Sequence, residues 1–198
     1  MIVTKKAQEL SAPAVLGNNR IVESFSLYKN IGSKGAVVFF YPKDFTFVCP
    51  SEIIAFDKRY KDFKERGIEV IGVSCDNEFS HFAWKNTAIE NGGIGNVQFP
   101  LVADLKKEWA RAFDVLFDEA VALRGSFLLD KDGTVRHAVI NDLPLGRNID
   151  EMIRMVDTML FTNEHGEVCP AGWHKGQAGM KADPKGVADY LKQNASKL

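Results

Sequence analysis

Apolar residues along this chain fall alternately into short unbroken runs and into stretches with helical spacing. Residues 35–41 (GAVVFFY) form an unbroken run, which suits a strand buried on both faces. Over 51–66, Ile53, Ile54, Phe56, Tyr60 and Phe63 recur at helical spacing, and Gly67 supplies a stop. Residues 68–74 (IEVIGVS) predict a second buried strand, and 78–91 a helix around Phe79, Phe82 and Trp84. The strand-then-helix rhythm recurs more faintly over 98–102 and 105–117. Residues 125–130 and 134–140 predict two strands joined by the turn Lys131-Asp132-Gly133. A helix follows at 149–162, with Ile149, Met152, Ile153, Val156 and Leu160 on one face. Strands alternating with helices predict an α/β fold, and the hairpin adds antiparallel strands to its sheet.

From Thr162 the pattern changes. The segment NEHGEVCPAGWHKGQAGMKADPKG is rich in Gly, Pro and charge and can bury little core. The expected organisation is a domain over 1–161 and a C-terminal arm over 162–198, ending in a short helix near 184–193. Composition leaves open whether the arm docks on a neighbouring subunit or frays.

The bulk numbers narrow the function classes. A chain of 198 residues is expected to form one domain, with or without a tail. A hydrophobic content of 45% and a charged content of 26% are ordinary for a globular protein. A net charge of -1 argues against general attraction to nucleic acid or acidic membranes. No apolar run approaches the length of a membrane span, and the two lysines near the N-terminus have no apolar run behind them. The expected location is the cytoplasm. In a reducing compartment, three cysteines (Cys49, Cys75, Cys169) are more often catalytic or metal-binding than static bridges. His165, Cys169 and His174 offer only three ligands, so no metal is expected. Gly92-Gly93-Ile94-Gly95 has Gln98 where a dinucleotide loop needs a third glycine, so no cofactor is expected.

Cys49 lies between the first buried strand and the first amphipathic helix. Pro50 follows it, as suits a helix start, and Ser51 and Glu52 continue the turn. Free N–H groups and the positive end of the helix dipole favour thiolate there, the nucleophilic form. The alternative is an inert buried thiol. A dithiol exchanger would carry C-x-x-C, but the third residue after Cys49 is Glu52.

The stretch Tyr41-Pro42-Lys43-Asp44-Phe45-Thr46-Phe47-Val48-Cys49-Pro50 resembles the active-site loop of typical 2-Cys peroxiredoxins, with its P-x-x-x-T-x-x-C-P pattern. Segments 72–84 (GVSCDNEFSHFAW), 123–130 (LRGSFLLD), 141–151 (NDLPLGRNIDE) and 166–173 (GEVCPAGW) resemble the same family, in its order. The resemblance implies a thioredoxin-like fold, a central mixed sheet flanked by helices with an extended C-terminal arm. It also implies roles. Cys49 attacks the distal peroxide oxygen and becomes sulfenic acid. Thr46 orients the peroxide, and Pro42 packs over the thiolate. Arg124 holds the thiolate and polarises the O–O bond, and Glu52 and Arg147 position it. Without the family, Arg124 and Arg147 would read as surface residues.

Alone, Cys169 could be a free surface thiol. The resemblance makes it the resolving cysteine, attacking the Cys49 sulfenic acid of a partner chain. It thereby implies an antiparallel homodimer, and five such dimers in a ring, with Phe45, Phe79 and Ser80 at the dimer–dimer contact. The implied substrates are hydroperoxides. The implied electron donor is thioredoxin, or the flavoprotein disulfide reductase that serves the bacterial alkyl hydroperoxide members. A different class of function, a holdase chaperone activity of high-order assemblies, has no client-binding signature here. Cys75 stands where the family has a small apolar residue and reads as a small hydrophobe. Sensitive family members carry a G-G-L-G loop and a C-terminal Tyr-Phe that slow unwinding at the peroxidatic cysteine. This chain has Ile94 in that loop and Leu191 after Tyr190, so intermediate overoxidation is expected.

Overall fold

The computed structural model describes residues 2–197. They form two compact units, divided between Ile149 and Asp150. In the first unit the strands are β1 (Ser11–Val15), β2 (Ile21–Ser26), β3 (Gly35–Phe40), β4 (Ile68–Ser74), β5 (Leu101–Ala103), β8 (Arg124–Asp130) and β9 (Val135–Asn141). They make a seven-stranded mixed sheet in the order β2-β1-β5-β4-β3-β8-β9. β4 pairs parallel with β3 and β5, and the remaining pairs are antiparallel.

Every residue of β3 is buried, because this central strand is covered on both faces. Its alternation sends Phe39 one way and Phe40 the other. Phe39 stacks on Phe56 of α1 (Cys49–Lys58), with ring centroids 4.2 Å apart. Phe40 meets Phe113, just past α4 (Glu108–Ala112), and Phe127 of β8 at 5.2 and 5.8 Å. Ile71, Val73, Leu129 and Trp109 complete the core on the Phe40 side.

The strands within 35–74 and 125–140 form where the pattern predicts them. The structure differs from the pattern in four places. The hairpin β1–β2 has no clear apolar pattern; its turn is marked only by Gly17-Asn18-Asn19, with Asn19 at φ 62°. The helical run after Cys49 breaks at Arg59 (φ -101°, ψ 4°) and resumes as α2 (Tyr60–Glu65). The next helix, α3 (Glu78–Lys85), stops well short of residue 91 and buries His81, Trp84 and Lys85. Phe79, at 67% exposure, and Phe82 face outward instead. Over 105–117 only α4 is helical. The Asp104 carboxylate accepts from the Trp109 and Ala110 amides at its start, and Asp114 turns left-handed after it (φ 57°). The tiny hairpin β6 (Leu116–Phe117) and β7 (Val121–Ala122) follows.

The second unit holds most of α5 (Ile149–His165) and all of α6 (Pro184–Asn194). Asp183 caps α6 by accepting from the Gly186 amide at 2.7 Å, with Pro184 in the first turn. Between the helices, Val168 and Met180 pair as an isolated bridge. Trp173 packs on Phe161 of α5, centroids 4.8 Å apart. Among the described residues no helix is long and apolar enough to cross a membrane.

Candidate active site

β3 ends at Phe40, and the loop 41–48 carries the chain to α1, whose first residue is Cys49. Cys49 is fully buried. The Thr46 hydroxyl lies 3.0 Å from its sulfur and 2.7 Å from the Lys43 carbonyl oxygen. Arg124 opens β8, and its Nη1 donates to the Cys49 sulfur at 3.4 Å and to Glu52 at 2.7 Å. Its Nε donates to the Leu143 carbonyl at 2.6 Å, which fixes the plane of the guanidinium.

Glu52 sits three residues after Cys49, so both project from one face of α1. Its carboxylate also accepts from the Arg147 amide (2.9 Å), Nε (2.8 Å) and Nη2 (3.0 Å). Arg147 Nη1 donates to the Gly125 carbonyl and the Ser126 hydroxyl, and the guanidinium lies over the Phe39 ring. Burial alone would raise the Glu52 carboxyl. The hydrogen bonds and charge of Arg147, with the charge of Arg124, outweigh it and hold the group below the usual range. Two buried guanidiniums therefore share one carboxylate, and a positive charge is left over beside the Cys49 sulfur.

The structure thus brings together five of the residues singled out from the sequence: Thr46, Cys49, Glu52, Arg124 and Arg147. Pro42 lies in the same loop and lines a cavity of about 530 Å³ with Lys43, Cys75, Asp76, Ser80 and Lys107. Burial, seconded by the Asp104 charge, pushes the Cys75 thiol up to about 11. Cys169 belongs to the second unit. Its sulfur lies 3.9 Å from the Thr158 carbonyl and 3.8 Å from the Thr162 hydroxyl, both on α5. Arg154 Nη1 donates to the Trp173 carbonyl at 2.8 Å, tying the segment after Cys169 to the same helix. All three cysteines are free thiols. Phe45 and Phe79 are exposed, and Ser80 donates to Asp44 at 2.7 Å.

The sequence reading missed Asp44, Tyr41 and His81, which form a buried polar cluster beneath the loop. The one signal was His81 at the spacing of Trp84 and Lys85 on α3.

Residues 3–138 match the AhpC/TSA family, and residues 159–193 match the C-terminal domain of 1-Cys peroxiredoxin. The chain belongs to the AhpC/TSA family. The AhpC/TSA match is reinforced by relatives along its whole length. The chain is 67% identical to alkyl hydroperoxide reductase C of Helicobacter pylori over 198 residues, all of both chains. It is 44% identical to the chloroplastic 2-Cys peroxiredoxin BAS1 of Hordeum vulgare, over 96% of this chain and 90% of that one. Reduced 2-Cys peroxiredoxin of Plasmodium vivax superposes with a TM-score of 0.94 at 44% identity, over 97% and 99% of the two chains. This AhpC/TSA protein has the thioredoxin-like fold of its neighbours and is an antioxidant peroxidase of the peroxiredoxin type.

Proposed function

We propose that Cys49 is the peroxidatic nucleophile and Cys169 the resolving one, in an intersubunit cycle. One observation carries this reading: the buried Cys49 sulfur at the first residue of α1, with the Thr46 hydroxyl and the Arg124 guanidinium both directed at it. A thiolate in that setting is stabilised by fixed donors and by the uncompensated positive charge. It attacks the distal oxygen of a hydroperoxide. The S–O bond forms as the O–O bond breaks, and the departing alkoxide or hydroxide takes a proton to leave as alcohol or water. The Arg124 N–H groups and the Thr46 hydroxyl stabilise the charge developing on the two oxygens, while Glu52 and Arg147 hold Arg124 in place. Pro42 shields the thiolate from water. Cys169 of a second subunit then attacks the sulfenic sulfur, forming the disulfide and releasing water. A dithiol donor, thioredoxin or a flavoprotein disulfide reductase, returns both cysteines to thiols.

The unit of function in this reading is an antiparallel homodimer, with isologous pairing giving two equivalent sites. Five dimers assemble through the exposed Phe45 and Phe79 with Ser80. A cytoplasmic setting suits a cycle that depends on free thiols. Holdase activity of high-order assemblies is the second reading, and it would survive loss of Cys49.

The test is a pair of variants. Cys49→Ser should retain under a few percent of peroxide turnover. Cys169→Ser should react once and then stop, with Cys49 found as sulfenic acid or higher by mass spectrometry. After mild peroxide treatment the wild type should run as a linked dimer on a non-reducing gel and both variants as monomers. Sustained turnover in Cys169→Ser would assign resolution to Cys75.

A further inference from the structure

Beneath the 41–48 loop, away from the Cys49 sulfur, lies a second cluster of buried polar groups. Asp44 and His81 are almost wholly sequestered from solvent, and His81 Nδ1 lies 2.8 Å from Asp44 Oδ2. His81 Nε2 lies 3.2 Å from the Val102 carbonyl oxygen on β5. The Tyr41 hydroxyl donates to Asp44 Oδ1 at 2.9 Å, and the Ser80 hydroxyl donates to Oδ2 at 2.7 Å. Burial, with the Asp44 charge, pushes the Tyr41 phenol well above its usual range, so it keeps its hydrogen.

Asp44 thus gathers contacts from Tyr41, Ser80 and His81 at its two carboxyl oxygens, and His81 is held at both ring nitrogens, between Asp44 and the Val102 carbonyl. Such a buried pair is strongly directional, because removing either partner strands the other's polar atoms in a dry setting.

Its place in the chain gives it a task. The Asp44 amide donates to Asp76 Oδ2 at 2.9 Å, which itself accepts from Ser74 at the end of β4. Asp44 is therefore held at both backbone and side chain. The next residue, Phe45, sits in the left-handed region at φ 53°, a conformation a bulky residue keeps only under constraint. Thr46 follows, and its hydroxyl spans Lys43 and Cys49. We infer that the buried, hydrogen-bonded Asp44–His81 pair is a positioning device for the peroxide-binding loop, holding Phe45 in its strained turn so that Thr46 meets the Cys49 sulfur. This rests on the assignment of Cys49 as the peroxidatic residue.

The test compares two reactions of Cys49 in His81→Gln. Its rate with hydrogen peroxide should fall at least tenfold, because that reaction needs the aligned hydroxyl. Its rate with iodoacetamide should stay within threefold, because alkylation needs only an available thiolate. A parallel fall in both would show a merely structural role, and an unchanged peroxide rate would remove the role altogether. If His81→Gln does not fold, Tyr41→Phe, which deletes one donor to Asp44, should give the same divergence at smaller size. A wild-type Cys49 inert to peroxide would overturn the site assignment and this inference together, whereas a wild-type rate in His81→Gln would overturn this inference alone.

Discussion

The Thr46 hydroxyl has one hydrogen and two acceptors in reach, the Lys43 carbonyl and the Cys49 sulfur. While Cys49 is a thiol, the hydrogen can stay on Lys43 and the thiol can donate to the Thr46 oxygen. Once the thiolate forms, the same hydrogen can swing to sulfur or to an arriving peroxide. Thr46→Ser keeps that pivot and should keep most of the activity. Thr46→Val keeps the shape but not the hydrogen, and should slow the peroxide reaction by roughly 10²-fold, the usual effect of deleting one donor to a developing charge; stopped-flow tryptophan fluorescence reads it. Cys75 makes the opposite case. With its thiol pushed up to about 11, roughly one molecule in a thousand is thiolate at pH 8. Timed iodoacetamide labelling with peptide mapping should modify Cys169 long before Cys75, and equal labelling would refute the buried-hydrophobe reading. At this scale the sequence was informative where chemistry leaves a motif, as at Thr46 and Cys49. It said little of Asp44 and His81, because a buried polar pair is assembled from separate elements and only the spacing of His81 with Trp84 and Lys85 hints at it.

Among the elements, α3 shows how a helix can be legible in the sequence while its buried face is not. The sequence places a helix around Phe79, Phe82 and Trp84 without saying which side faces the core, and the buried set is His81, Trp84 and Lys85. The reason is that polar partners wait inside: Asp44 for His81, and the Leu16 carbonyl for Lys85, whose Nζ donates to it at 2.7 Å. Burial lowers the Lys85 ammonium to about 8 against the opposing pull of Asp57. The folded value lies below the unfolded one, so the charged form opposes folding fully below pH 8. That penalty is relieved as pH rises from 8 towards 10.5. Stability should therefore climb over this window, by up to about 3 kcal/mol per chain. Thermal melts of the reduced protein at fixed concentration would show the climb, and Lys85→Met should flatten it. The central strands were legible because continuous apolar runs have one outlet, burial on both faces. The β1–β2 hairpin was not, because its residues are mostly half-buried or exposed and only its turn carries a signal.

For the molecule as a whole, the two cysteines of the proposed cycle belong to different compact units, Cys49 to the one that ends at Ile149 and Cys169 to the one that begins at Asp150. The change in character at Thr162 was legible as composition, whereas the grouping of α5 with the tail was not, since its amphipathic spacing looks like that of any domain helix. If the tail restrains the opening of the site, truncation before Tyr190 should raise the peroxide concentration that inactivates half the enzyme during turnover, and Leu191→Phe should lower it. Leu191 is 43% exposed in the single chain, so a ring there has room to add contact area. An unchanged value after truncation would remove the tail from the account. The start of α1 sets the same balance from the other side. Val48 occupies its N-cap and makes no side-chain capping bond. A polar cap is worth about 1 kcal/mol, roughly fivefold in an opening equilibrium. In the proposed cycle each oxidised Cys49 would then run a race, in which the first turn must fray before a second peroxide arrives and carries the sulfur on to sulfinic acid. The peroxide level at which the race is even is a dose rating written into the helix, and the bare valine places it several times higher than a serine or aspartate would.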